Sequence, residues 1–250
     1  MSMKQFSPRR RPGVMLALVA LVVILAAGCS VREDVLLNAN GSGEATLSVN
    51  LHPIMINYMN DLMTAMTGVE GEYPIFDLEQ ITASFAERDG VELVALDRGE
   101  RGTLLMEIRF DDINELFARE NAEDILRFER VGPRRELAFT LNREAVQRFL
   151  EFAPEDSMTM AQFLFPPADG SVSREEYRDE MAWALEEYDD RAAVERVLDA
   201  AAIDVRITPA GRIVAQDGGR IDGAAVVFSI PVLDLLTLGE DRTYSLVFAP

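Results

Sequence analysis

The sequence predicts an α+β fold built from antiparallel β-hairpins and sheets, with a central helical insertion at about residues 142–202. Two observations predict it. Alternating apolar and polar residues around glycine turns fill both ends of the chain beyond residue 29, and helical periodicity fills the middle. Strands followed by helices and then by strands are typical of an α+β domain. The chain contains neither G-x-x-x-x-G-K-S/T nor G-x-G-x-x-G, which disfavours a nucleotide-binding sheet.

The sequence of the first half of the domain predicts β-hairpins that alternate with helices. Residues 35–37 and 45–51 flank a turn that contains two glycines, which predicts a β-hairpin. Pro53 suits the first turn of a helix, and Asp77 and Gly90 suit the start and the end of another. The predicted elements after this hairpin are a helix from Pro53, a helix at 78–88, strands at 91–96 and 103–110, a helix at 113–118, and strands at 125–130 and 136–141.

The sequence of the second half predicts the helical insertion, followed by further β-strands. Ser173 and Glu176 fit a capping box that starts one insertion helix. Residues 209–211 predict a turn, and the acidic glycine loop at 217–223 predicts a tight strand connection. The predicted helices lie at 143–152, 158–164, 174–188 and 191–201; the strands lie at 203–208, 212–215, 224–230 and 243–248, with a short helix or loop at 231–238.

Residues 1–28 have the layout of an export signal. Lys4 and three consecutive arginines precede an apolar stretch at 14–27, and small residues lead to Cys29, the only cysteine. This string resembles the lipobox of bacterial lipoproteins, although Ala26 stands where that motif usually has leucine. The resemblance implies that residues 1–28 are removed as a signal peptide. It also implies that the Cys29 thiol carries a diacylglycerol, with palmitate as a typical acyl chain.

Two alternatives to a lipid anchor remain open on the sequence. A plain secretory signal would be cut near residues 27–28 and would leave Cys29 as a free thiol. A permanent membrane span is disfavoured, because the 14 apolar residues make a helix of about 21 Å, shorter than the roughly 30 Å hydrocarbon core. The lipobox implies a cell-envelope location outside the cytoplasm, such as the periplasm, and Ser30 after the cysteine favours the outer membrane where the cell has one.

The segment after Cys29 resembles a second family. A hairpin with a glycine turn at 35–51 closely follows the cysteine, and strands return at 203–248. This arrangement is similar to the LppM-type lipoprotein domain. The resemblance implies an envelope-associated binding domain in residues 29–250, and it carries over no catalytic residue.

Composition disfavours nucleic-acid binding and excludes disulfide bonds within the domain. Residues 29–250 hold all 43 acidic residues but only 20 basic ones, all arginine, for a net charge of −23. Nucleic acid is a poor partner for such a surface. Without a second cysteine, the domain has no disulfide and must be stabilised by its hydrophobic core.

Catalytic and metal-binding signatures are lacking in the sequence. His52 is the only histidine, so neither a serine–histidine triad nor a zinc centre is expected, and no cofactor is implied. The acidic pairs do not fit the calcium-loop pattern. The expected protein is therefore not an enzyme, with a hydrolase that uses carboxylates alone as the competing hypothesis. A purely structural envelope component is the third hypothesis.

One stripe of residues suggests binding of an apolar partner. Met55, Met59, Met63 and Met66 recur at helical spacing after Pro53, and Phe163 lies in a second apolar segment. Methionine surfaces adapt to varied apolar ligands, so these residues are candidates for a groove that takes a hydrophobic ligand or another envelope protein. Packing in the core is the alternative for the same stripe.

The lipid anchor predicts the effect of one substitution. Cys29→Ser removes the thiol, so radiolabelled palmitate should not join the protein and the mature chain should leave the membrane fraction. Ser30→Ala is the matched control and should keep both label and fractionation. A Cys29→Ser protein that still fractionates with membranes would contradict the lipid anchor.

Overall fold

The computed structural model describes residues 29–86, 88–118, 125–146, 165–167 and 170–250. Within these ranges the chain forms two β-sheets with helices packed beside them, which confirms the α+β class. The strands are β1 (Cys29–Leu37), β2 (Gly43–Leu51), β3 (Val91–Asp97), β4 (Thr103–Phe110), β5 (Leu126–Val131), β6 (Arg134–Leu141), β7 (Ala202–Pro209), β8 (Arg212–Asp217), β9 (Arg220–Asp222), β10 (Ala225–Pro231) and β11 (Arg242–Ala249). The helices are α1 (Pro53–Thr67), α2 (Leu78–Ala86), α3 (Ile113–Ala118), α4 (Arg174–Leu185), α5 (Arg191–Ala200) and α6 (Val232–Leu236).

The larger sheet has seven strands in the order β3-β4-β2-β1-β7-β10-β9. Strand β1 lies at its centre, where it pairs antiparallel with β2 through the predicted hairpin and parallel with β7. The other strand pairs of the described residues are antiparallel, as the sequence predicts, and this parallel pair is the exception among them. A parallel pair needs a long crossover connection, and here most of the chain separates the two strands, so no local signal reveals their direction.

The smaller sheet has the order β5-β6-β11-β8. Strands β7 and β8 therefore lie in different sheets, and the predicted turn at 209–211 carries the chain from one sheet to the other. A Cβ on Gly211 would lie 2.3 Å from the carbonyl oxygen of Ala249, so this crossing requires glycine. The loop at 217–223 contains the short strand β9, which the sequence analysis did not predict.

Capping residues fix the helix ends as the sequence predicts. The Ser173 hydroxyl accepts from the Glu176 N–H at 3.2 Å, and a Glu176 carboxylate oxygen accepts from the Ser173 N–H at 2.9 Å. Asp77 accepts from the Gln80 N–H at 2.9 Å. These bonds satisfy backbone donors that have no partner within the helix.

The core consists of two principal clusters. One lies on the inner face of the larger sheet, where the smaller sheet and the buried residues of α1 and α2 cover it. The other joins α1, α4, α5 and α6 around Tyr177, Met181 and Leu185. The inner face of the larger sheet is thus covered by the smaller sheet and by residues of α1 and α2.

Some predictions fall outside the described residues. These are the signal peptide at 1–28, the helix at 158–164 and most of the helix at 143–152, of which residues 143–146 are helical in the structure. No helix in the described ranges is both long and apolar enough to cross a bilayer.

Packing around one turn glycine predicts a stability effect. A Cβ on Gly43 would lie 2.2 Å from the Leu36 carbonyl oxygen and 2.5 Å from the Phe110 ring. Gly43→Ala should therefore lower the free energy of unfolding by about 1–3 kcal/mol, measured by urea denaturation. Gly71→Ala is the control, because a Cβ there meets nothing within 4 Å. Equal effects of the two substitutions would contradict this packing.

Candidate functional site

One row of side chains crosses the inner face of the larger sheet with an acid at its centre. Strand pairing places Glu33 on β1 between Leu47 on β2 and Val205 on β7. Leu47 in turn pairs with Met106 on β4, and Val205 pairs with Phe228 on β10. We call these five residues the Glu33 row. Because side chains alternate across a strand, all five project from the same face.

Apolar rows flank the Glu33 row on both sides. Val31 lies at the centre of one and Val35 at the centre of the other, and both are buried. The flanking rows, read across β4, β2, β1, β7 and β10, are Leu104–Val49–Val31–Ile203–Ile230 and Ile108–Ala45–Val35–Ile207–Val226. Glu33 is thus the only charged residue in a field of fifteen core-facing positions, which is an unusual place for a carboxylate.

The packing is incomplete where Glu33 lies. Met106 and Phe228, the ends of the row, are 4% and 0% exposed. The three residues in the middle of the row, Leu47, Glu33 and Val205, are only half-buried. The valines that flank Glu33 along β1 are buried. Protein interiors are normally close-packed, so accessible surface at the middle of a core face indicates space beside these three side chains.

The Glu33 carboxyl has no partner among the residues that the structure describes. No hydrogen bond or ion pair with a described residue engages it. Burial raises its pKa from 4.5 to about 7, because the charged form loses its hydration there. Glu33 therefore keeps some accessible surface although its carboxyl lies deep.

An aromatic cluster closes the row on the side of the smaller sheet. The Phe139 ring packs edge-on against Phe228 at 5.2 Å and stacks on Tyr244 at 4.9 Å, centroid to centroid. Phe139 itself is only half-buried. The wall near Val205 is therefore aromatic, whereas Met106 ends the row on the other side.

The methionine stripe divides between core and surface. Met55 is fully buried against α4 and α5, and Met59 lies in the core cluster that contains the inner sheet face. Met63 is half-buried and Met66 is 42% exposed. Phe163 lies outside the described residues. The structure thus does not gather the predicted groove residues on one surface, and the groove they would form stays a prediction.

His52 has a structural role at the start of α1. Its Nδ1 accepts from the Ile54 N–H at 3.4 Å, which makes it the N-cap that precedes Pro53. Together with Ser30 and Arg196 it also lines a cavity of about 470 Å³ between the beginning of β1 and α5. In the described parts of the chain, no three His, Cys, Asp or Glu residues cluster closely enough to hold a metal ion.

Glu33 was not among the candidate residues predicted from the sequence. The signal was present in the alternation of residues 31–37, where Val31, Val35 and Leu37 share a phase with Glu33. An acid in the apolar phase of a strand marks a buried charge. The carboxylate hypothesis for a hydrolase expects two inward acids, and the Glu33 row contains one.

The raised pKa of Glu33 predicts how stability depends on pH. Because the folded pKa of about 7 exceeds the ordinary value of 4.5, the folded protein binds the extra proton, and this group's contribution falls as pH rises from 4.5 to 7. The unfolding free energy of the wild type should therefore fall between pH 5 and pH 8 by about 2 kcal/mol more than that of Glu33→Gln, which has no carboxyl to ionise. This figure allows for the residual exposure of Glu33. Urea denaturation at both pH values measures this difference.

Asp34→Asn, on the opposite face of the same strand, is the control for that measurement. Its unfolding free energy should change between pH 5 and pH 8 by the same amount as that of the wild type. A Glu33→Gln protein that shows the same difference as the wild type would contradict the burial of the Glu33 carboxyl.

Comparison with known proteins gives a weak structural likeness. No family model matches the sequence, and no curated protein matches it significantly. The NMR structure of the folded domain of LppM from Mycobacterium tuberculosis is similar over 90% of this chain and 91% of that chain, with 14% sequence identity and a TM-score of 0.39. At this TM-score nothing about ligand, partner or activity follows from the likeness.

Proposed function

We propose that the protein is a lipid-anchored envelope protein, outside the cytoplasm, that binds a hydrophobic ligand in the space beside the Glu33 row. The observation that carries this proposal is the incomplete packing of Leu47, Glu33 and Val205 at the centre of an otherwise buried sheet face. The protein is expected to hold the ligand without catalysing a reaction.

The chemistry of this lining supports a ligand site. Binding sites for small molecules are mostly apolar concave spaces with a few well-placed polar groups. The row supplies apolar surface from Leu47 and Val205, and Glu33 is its polar group. Met106 in the row and Met59 in the same core cluster are flexible, polarisable side chains that adapt to ligands of different shape.

The stability cost of Glu33 also supports a functional role. A buried acid without a partner destabilises a fold, and leucine or valine at this position would complete the apolar face. Proteins accept such costs mainly at functional sites, where the group meets a ligand or a substrate. Glu33 at the centre of the row fits this pattern, whereas a purely structural component would gain nothing from it.

A neutral hydrophobic probe tests the proposed function. N-phenyl-1-naphthylamine fluoresces more strongly in an apolar site, so its fluorescence should rise with saturation when the probe is added to purified residues 30–250. Leu47→Trp places a larger side chain in the space beside the row and should weaken binding at least tenfold.

Leu36→Trp is the matched control for this experiment. Leu36 lies on β1 but points away from the row and is 54% exposed, so the substitution should leave the affinity unchanged. Circular dichroism confirms that each variant is folded. The proposal is wrong if the wild type shows no saturable binding, or if the two variants bind the probe equally well.

A further inference from the structure

We propose that the ligand is a cationic amphiphile, with a protonated amine that binds the Glu33 carboxylate and an apolar chain that lies against Leu47 and Val205. This inference rests on the proposed function and goes further, because it assigns the chemical class of the ligand. Glu33 is then the residue that selects the headgroup.

The bonding capacity of the Glu33 carboxylate is unmet among the described residues. An ionised carboxylate is an acceptor with about four lone-pair positions, and the described residues supply no donor to any of them. The carboxylate loses its hydration when the protein folds, and this loss raises its pKa to about 7. A ligand therefore does not have to displace that water again. An ammonium group supplies up to three N–H donors and an opposite charge, and charge-assisted bonds of this kind are among the strongest that proteins form.

The negative charge of Glu33 and of the whole domain favours a cationic headgroup. An anionic headgroup beside Glu33 would place two like charges in a poorly hydrated space, which is strongly unfavourable. The domain as a whole carries a net charge of −23, so its field repels anionic amphiphiles and attracts cationic ones before contact. A neutral hydroxyl could donate one hydrogen bond but would gain nothing from this field.

Glu33 lies among apolar neighbours on every side of the sheet face. Leu47 and Val205 flank Glu33 on adjacent strands, and Val31 and Val35 flank it along β1. The half-buried part of the row spans three strands, a width of about 10 Å. A headgroup at Glu33 is therefore surrounded by surfaces that accept an alkyl chain, which is the arrangement that an amphiphile requires.

Displacement of N-phenyl-1-naphthylamine by three compounds of equal chain length tests the inference. Dodecylamine, dodecanol and dodecanoate are each titrated below their aggregation concentrations at pH 8, where most Glu33 is ionised. The wild type should bind dodecylamine at least tenfold more tightly than dodecanol, and dodecanoate least tightly. Glu33→Gln should bind dodecylamine at least tenfold more weakly than the wild type, with its affinity for dodecanol changed less than twofold.

One further variant and one spectrum separate the outcomes. Asp34→Asn removes an acid from the outer face of the same strand and should keep the preference for the amine. If Glu33→Gln does not fold, the ¹³C resonance of the Glu33 carboxyl in the wild type provides the readout, because bound dodecylamine should lower its pKa by at least one pH unit.

The two proposals fail in different ways. Equal affinities for amine and alcohol, unchanged by Glu33→Gln, would overturn the headgroup assignment and leave the hydrophobic site standing. Tighter binding of dodecanoate than of dodecylamine would overturn it as well. If no compound displaces the probe, and the probe itself does not bind, the proposed function is wrong.

Discussion

The parallel pairing of β1 with β7 is the constraint on which the rest of the structure depends. Strand β1 carries the N-terminal hairpin, and β7 follows the helical insertion, so this ladder joins the two ends of the domain into one sheet. It also creates the candidate site, because Glu33 acquires Val205 as a neighbour only through this register. Without the ladder, the hairpin would place Glu33 at an open edge in water, and its burial would not arise.

The charges of this sheet separate by face. On the outer face Arg206 contacts Asp34 at 3.7 Å and also pairs with Asp222, so these two acids share a cationic partner. On the inner face Glu33 has apolar neighbours across both strands. Arg178 and Arg174 likewise bind Asp199, which ties α4 to α5 at the surface. Surface pairs of this kind contribute little individually, whereas a lone buried acid has a large effect, so Glu33 stands apart energetically from the other carboxylates.

Local signals in the sequence predicted the elements well, and non-local pairing escaped them. The capping box at Ser173 and the turn between β1 and β2 depend on residues a few positions apart, so the sequence contains the whole signal. The strand order depends on contacts between distant segments, and the split of β7 and β8 between two sheets depends on Gly211 against Ala249. For the site, helical periodicity identified Met59 as inward-facing but could not tell a core position from a groove. Glu33 could have been identified from alternation alone, since a charge in the apolar phase of a strand requires no tertiary information.

The position of Glu33 along β1 connects the site to the predicted anchor. Strand β1 begins at Cys29 itself, so no linker separates the predicted lipid from the sheet. Glu33 follows four residues later, which at about 3.3 Å per residue is about 13 Å from the anchor. If Cys29 carries the lipid, a ligand leaving the bilayer reaches the carboxylate within half the length of one strand. Under these proposals the acidic body would repel anionic headgroups at that short distance, and the same field would draw a cationic headgroup from the membrane surface toward Glu33. The predicted anchor would then set how close the site comes to the bilayer, and the charge of the domain would determine which amphiphile crosses to it.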